Sequence, residues 1–202
     1  MDKPSNSGTL NLKPLYELAA KLGPQGLLGR STEGREYGKA VKEATSIIPT
    51  TQGIYIWGYY QSNKLWRTVY LGKAGFGGSS NLNLRIDEEL RDERPFLWVG
   101  KQTRMSLDEV KLEWLRLGGK NGIHTKAAVN HVDRALRKDK TTHIHWVAMP
   151  ETDNHSILKI EADLVEVMNP IANVHRPAPS HDISATAIDV LKEFRALINN
   201  NR

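Results

Sequence analysis

Residues 51–75 read TQGIYIWGYYQSNKLWRTVYLGKAG, and their alternation decides the fold class. Ile54 and Ile56 alternate with Tyr55, Trp57 and Tyr59, and Val69 and Leu71 flank Tyr70. A period of two marks a strand, because successive side chains leave opposite faces of the backbone. Gln61, Ser62, Asn63 and Lys64 supply turn residues between the two runs. The stretch therefore predicts an antiparallel hairpin, with strands over about 53–60 and 65–72. Ile54, Ile56, Val69 and Leu71 are expected to face the core, which puts Tyr55 and Tyr70 together on the other face. Two phenols in the matching settings Gly-Ile-Tyr and Tyr-Leu-Gly are either ordinary strand aromatics or partners facing a common reactant.

Upstream of the hairpin, Leu15, Leu18 and Ala19 recur at helical spacing in NLKPLYELAAKLG, with Gly23 as a stop. A second helix is expected over 35–47, before Pro49. Downstream, GFGGSS (75–80) reads as a connector into a helix with Leu82, Ile86 and Leu90 on one face, closed by Pro95. Two more helices are expected over 104–117 and 125–138, and THIHWVAMP (142–150) is expected to be a third strand. HSILKIEADLVEVMNP reads as a long helix stopped by Pro170. After the Pro-rich HRPAPS, an amphipathic helix is expected over 183–198. The expected class is α/β, with a small three-stranded, mostly antiparallel sheet flanked by helices. A helical region (1–48) precedes a core (49–175) carrying a helical insertion at about 95–140, and a C-terminal helix follows (176–202).

The composition narrows the classes. Hydrophobic residues make up 39% of the 202 residues and charged residues 25%, which permits a packed core and argues against disorder. The absence of cysteine excludes disulfides, thiolate metal sites and cysteine nucleophiles. No run approaches the ~18 apolar residues of a membrane span, and MDKPSNSGTL lacks the apolar segment of a signal peptide. A cytoplasmic protein without membrane contact is expected. The net charge is +5. Between Arg91 and Lys140 there are twelve Lys/Arg against seven Asp/Glu, so that segment carries a surplus equal to that of the whole chain. A local basic surplus suits a polyanion, and equally a solvated helical face.

Several residues carry possible chemistry. Ile157, Glu161, Leu164 and Met168 follow i, i+4, i+7, i+11 spacing, so Glu161 falls inside an apolar stripe. A carboxylate there is costly unless paired or bound to a cation, or unless its head reaches water. Glu161 is thus a candidate metal ligand. Arg85 lies beside the apolar face of its helix and could equally be an i,i+4 partner of Glu89. Lys73 ends the second strand. His143 and His145 share a strand face but lack an evident third ligand for zinc. GFGGSS lacks the Gly-Lys-Ser/Thr ending of a P-loop.

Taken together, G-I-Y (53–55), Y-L-G (70–72), Arg85 in the following helix, Glu161 and N-P-I-A-N-V (169–174) resemble the GIY-YIG nuclease superfamily. YLGKA with NLNLRI, and EADLVEVMNPIANV, resemble its arginine and glutamate segments, with Asn173 twelve positions after Glu161. The likeness covers about half the chain and is greatest to the restriction-endonuclease members. The chain departs from the pattern in a longer hairpin loop, in GFGGSS before the arginine helix, in Glu89 where relatives often carry His or Tyr, and in the insertion of about fifty residues.

The resemblance implies a divalent-metal-dependent endonuclease that hydrolyses phosphodiester bonds in double-stranded DNA, of restriction or defence type. It implies that Glu161 holds Mg²⁺ or Mn²⁺, that Arg85 binds the scissile phosphate, and that Tyr55 orients or deprotonates the attacking water. Tyr70 would complete the hydrogen-bond set, Lys73 would supply positive field near Tyr70 or contact the phosphate, and Asn173 would fix the geometry. Which tyrosine acts as the base stays open. Arg104, Arg116, Lys126, Arg134, Arg137 and Lys138 in the insertion are candidate DNA contacts. A symmetric target would call for a homodimer. The alternatives are a structure-selective repair or mobile-element nuclease and a catalytically inactive nucleic-acid-binding module.

Overall fold

The sheet has four antiparallel strands, not three. In chain order they are β1 (Ser7–Asn11), β2 (Gly53–Tyr60), β3 (Trp66–Ala74) and β4 (His143–Ala148), arranged β1-β4-β2-β3. The computed structural model describes residues 6–22, 32–75, 81–91, 141–170, 173 and 182–202. The expected helices over 104–117 and 125–138 lie outside them, with the six candidate DNA contacts. Among the described residues there are five helices: α1 (Lys13–Leu22), α2 (Thr32–Thr45), α3 (Leu82–Leu90), α4 (Asn154–Met168) and α5 (Ala185–Asn200). None is long and apolar enough to cross a membrane.

The extra strand, SGTLN, buries only Leu10. Its Ser, Gly and Asn are poor strand formers, and pairing with β4 from Ser7↔Val147 to Asn11↔His143 supplies what local preference lacks. The hairpin pairs Tyr55 with Gly72, Ile56 with Leu71 and Trp57 with Tyr70, then slips by one residue between Trp57 and Gly58. β4 lies on the other side of β2, with Tyr55 opposite Trp146 and Ile56 opposite His145. This leaves β1 and β3 as the edges.

Both faces of the sheet are covered by helices, and the face carrying Tyr55 is as buried as the one carrying Ile54 and Ile56. Ile54, Ile56, Leu71 and Val147 pack against Ile157, Ile160 and Leu164 of α4 and Val190 and Phe194 of α5. Tyr55, Trp57, Ile144 and Trp146 pack against Leu15 of α1, Val41 of α2, and Leu82, Ile86 and Leu90 of α3. Full burial of Ile54 and Ile56 contributes roughly 1.5–3 kcal/mol each. The sequence reading missed the second layer because aromatic residues serve a strand face whether or not a helix covers it.

Short local signals set the helix ends. The Asn81 side chain accepts from the Leu84 N–H and starts α3, and Asp153 accepts from His155 and Ser156 and starts α4. Ser184 does the same for α5 through Ala187. These side chains satisfy amides that have no partner within the helix. At the far end of α4, Asn169 adopts a left-handed conformation (φ 45°, ψ 57°) just before Pro170. Asp163 is fully buried, and it accepts a hydrogen bond from the Ser184 N–H at 2.9 Å, tying α4 to the start of α5.

Candidate active site

The four-residue segment from Tyr70 to Lys73 of edge strand β3 gathers the candidate residues. Side chains alternate along it, so Tyr70 and Gly72 share a face with Tyr55, while Leu71 and Lys73 share the opposite face with Ile54 and Ile56. Tyr55 and Tyr70 are neighbours, with ring centroids 6.3 Å apart and planes tilted by 48°. Gly72 makes this possible. A Cβ there would lie 2.6 Å from the Tyr55 hydroxyl oxygen and 2.7 Å from Cε1 of Tyr70. Gly53 is equally constrained, because its Cβ would come within 2.3 Å of the Val147 carbonyl oxygen. The two glycines of the paired tripeptides are thus required by close approach.

Tyr55 is fully buried. Its hydroxyl donates to Oε1 of Glu89 at 2.7 Å. The same oxygen lies 3.0 Å from Nε of Arg85 in an ion pair, with the Arg85 side chain 34% exposed and that of Glu89 only 4%. The pKa of Arg85 is raised above the usual arginine value, chiefly by Tyr55. Burial opposes that shift, and Glu89 and Tyr70 add to it. Arg85 is therefore cationic at any working pH. In this conformation Arg85 and the half-buried Tyr70 reach the surface, while Tyr55 lies beneath them. The face that Tyr55 shares with Tyr70 is covered at Tyr55 by α3.

On the other face of β3, the Lys73 ammonium donates to Oε2 of Glu161 in a close ion pair, with both side chains about one-fifth exposed at 20% and 21%. Ile157 and Leu164 of the same stripe are buried. The cost of placing Glu161 among them is offset by pairing and by partial exposure. Lys73 thus faces Glu161 across the sheet from Tyr55, not the phenol of Tyr70.

No family model, curated protein or solved structure matches this chain.

Asn173 closes the edge. Its Oδ1 accepts from the Leu71 N–H and its Nδ2 donates to the Leu71 carbonyl. The six candidates therefore belong to the Tyr70–Lys73 segment or link to it, Arg85 through Glu89 and Tyr55. Tyr55 pairs with Gly72, Arg85 reaches Tyr55 through Glu89, Glu161 reaches Lys73, and Asn173 binds Leu71.

The sequence reading underweighted Glu89. Its spacing from Arg85 marked it as a surface salt-bridge partner, yet it is one of the few buried charged groups described. The signal was available, because Glu89 directly precedes the buried Leu90 and lies three positions after the buried Ile86. Away from this cluster, His143 and His145 stack with ring centroids 6.2 Å apart. Trp66 lies 4.6 Å from His145, and Tyr60 lies 5.3 Å from His143. Each imidazole Nδ1 bonds a threonine hydroxyl, His145 to Thr9 and His143 to Thr142. Among the described residues, no group of three or more His, Cys, Asp or Glu is placed to hold a metal ion together.

Proposed function

We propose that the protein is a divalent-metal-dependent endonuclease of the GIY-YIG type that hydrolyses phosphodiester bonds in double-stranded DNA, acting as a restriction or defence enzyme. One observation carries this reading. Two phenols, an arginine, a lysine, a carboxylate and an asparagine, drawn from five separate segments, gather about four residues of one sheet edge, with Tyr55, Tyr70 and Arg85 on one face and Lys73 and Glu161 on the other. A merely structural strand edge has no need of that set.

Phosphodiester hydrolysis requires charge neutralisation on the phosphate, an oriented water and help for the leaving oxygen. Arg85 supplies a permanent planar cation suited to two phosphate oxygens. Tyr70 lies beside Tyr55, and its partly exposed phenol can orient a water. Tyr55 supports Arg85 from beneath. Glu161 would hold Mg²⁺ or Mn²⁺. A single carboxylate with one oxygen engaged by Lys73, partly open to solvent, fits the habit of Mg²⁺, which keeps several waters and takes few protein ligands. When bound, the ion supplies Lewis-acid stabilisation of phosphate charge. Lys73 adds positive charge on the Glu161 side, and Asn173 holds the edge between the two clusters.

The complete burial of Tyr55 favours one other reading, a nucleic-acid-binding module without catalysis. Digestion of plasmid DNA with Mg²⁺, with Mn²⁺ and with EDTA separates the two. Sequencing the ends then tests specificity. Metal-dependent cuts at one recurring sequence support the restriction reading, and cuts at branched or flapped structures alone support a repair or mobile-element nuclease. DNA binding with no cleavage in either metal supports the inactive module.

A further inference from the structure

We propose that Glu89 is a positioning residue of this site, holding Arg85 and Tyr55 through a single carboxylate oxygen so that Arg85 presents its terminal nitrogens to a phosphate. The inference rests on the nuclease reading above.

The geometry is specific. Oε1 of Glu89 accepts from the Tyr55 hydroxyl at 2.7 Å and lies 3.0 Å from Arg85 Nε in an ion pair. The shortest contact of the ion pair runs through Nε, and the terminal NH₂ groups of an arginine form the edge that grips two phosphate oxygens. The ring of Tyr55 has no slack, since Gly72 lies directly against it. The phenol thus fixes the carboxylate, and the carboxylate fixes the guanidinium.

The same helix carries an internal comparison. Asp87 and Arg91 form a second i,i+4 pair, with Nε 2.7 Å from Oδ1 and side chains 18% and 40% exposed. An exposed pair of this spacing contributes ~0.3–0.5 kcal/mol and asks nothing of the surroundings. The Glu89 pair instead buries its carboxylate to 4% exposure and takes on a desolvation cost that helix stability alone does not require. Glu89 also partly neutralises Arg85. It therefore weakens ground-state attraction for DNA while fixing the geometry that the transition state uses, and that combination acts on rate more than on affinity.

The test compares Glu89→Gln, Glu89→Asp and Asp87→Asn in the full chain. Gln keeps the size and still accepts the Tyr55 hydrogen bond, so the fold is retained. Single-turnover cleavage of a DNA duplex in Mg²⁺ is expected to slow by about 10²–10³ in Glu89→Gln. Affinity for the same duplex in Ca²⁺ should stay equal or rise, Glu89→Asp should restore part of the rate, and Asp87→Asn should cleave normally. The Nε–H resonance of Arg85 in ¹⁵N NMR should move in Glu89→Gln and stay in place in Asp87→Asn. Cleavage by Glu89→Gln at the wild-type rate, or an equal loss in Asp87→Asn, would overturn the proposal. Should the wild-type protein cut no DNA, the nuclease reading falls. The NMR comparison then decides the clamp alone, and an unmoved Arg85 resonance in Glu89→Gln rejects it.

Discussion

Asn173 pairs with Leu71 as a neighbouring strand would. Its Nδ2 donates to the Leu71 carbonyl at 2.9 Å and its Oδ1 accepts from the Leu71 N–H at 3.0 Å. β3 is an edge strand, so these two backbone groups have no strand partner on that side, and a buried side-chain amide takes the place of one. Asn173→Asp removes the donor and sets a negative oxygen against a carbonyl. Its unfolding free energy in urea is expected to fall by about 1–3 kcal/mol, with cleavage reduced because Tyr70 and Lys73 lie one and two residues from the bonded Leu71. Unchanged stability would mean that the edge is held by other contacts.

Tyr55→Phe should lose both stability and activity. The sequence placed Tyr55 on the face opposite Ile54 and Ile56, away from the expected core. The structure places the Tyr55 hydroxyl in a buried bond to a carboxylate, and a hydrogen bond to a charged group is worth roughly 1.5–3 kcal/mol. Thermal unfolding beside a cleavage assay checks this. A variant as stable as the wild type would contradict the buried bond.

Gly72→Ala tests the close approach of the two phenols. The added methyl would need the space within 2.6 Å of the Tyr55 oxygen and 2.7 Å of the Tyr70 ring. Overpacking of this kind costs about 1–3 kcal/mol, and here it also drives the two rings apart. Cleavage should fall further than stability explains. A crystal structure of the variant with both rings unmoved would refute the argument.

Much of this site was legible because its chemistry follows strand and helix periods. The alternation about Tyr55 and Tyr70 gave the hairpin, and the stripe through Ile157 and Leu164 exposed Glu161 as an anomaly. Three features were not legible. β1 is made of Ser, Gly, Thr and Asn around a single buried Leu10, and only its pairing with β4 makes it a strand. Coverage of the Tyr55 face depends on how α1, α2 and α3 pack, and hydrophobic alternation cannot show that. The pairing of Lys73 with Glu161 joins residues far apart in sequence across the helix–sheet interface, and no local spacing encodes it.

The folded protein should lose stability on mild acidification through His145. Burial first, and then the neighbouring His143, lower the His145 pKa to about 3, against ~6.5 in an unfolded chain. Between those values the unfolded chain takes up a proton that the folded protein excludes. Stability therefore rises with pH through this window and is fully present above the unfolded value. The slope from this one group reaches up to about 1.4 kcal/mol per pH unit. Asn at this position can still bond Thr9 but does not titrate, so urea midpoints for His145→Asn should depend less on pH between about 4.5 and 7. Equal slopes in the two proteins would show that His145 does not carry the effect.

The central claim is that Glu161 holds the catalytic metal of a DNA-cleaving site, and Glu161→Gln tests it most directly. Gln keeps the volume and removes the charge, and the partial exposure of the side chain means that the core loses little. The measurement is single-turnover cleavage of plasmid DNA in Mg²⁺ with enzyme in excess, beside a gel-shift titration in Ca²⁺ and a thermal melt. The account predicts a folded variant that binds DNA and cuts it at least about 10²-fold more slowly than the wild type. Cleavage by Glu161→Gln at the wild-type rate would contradict it.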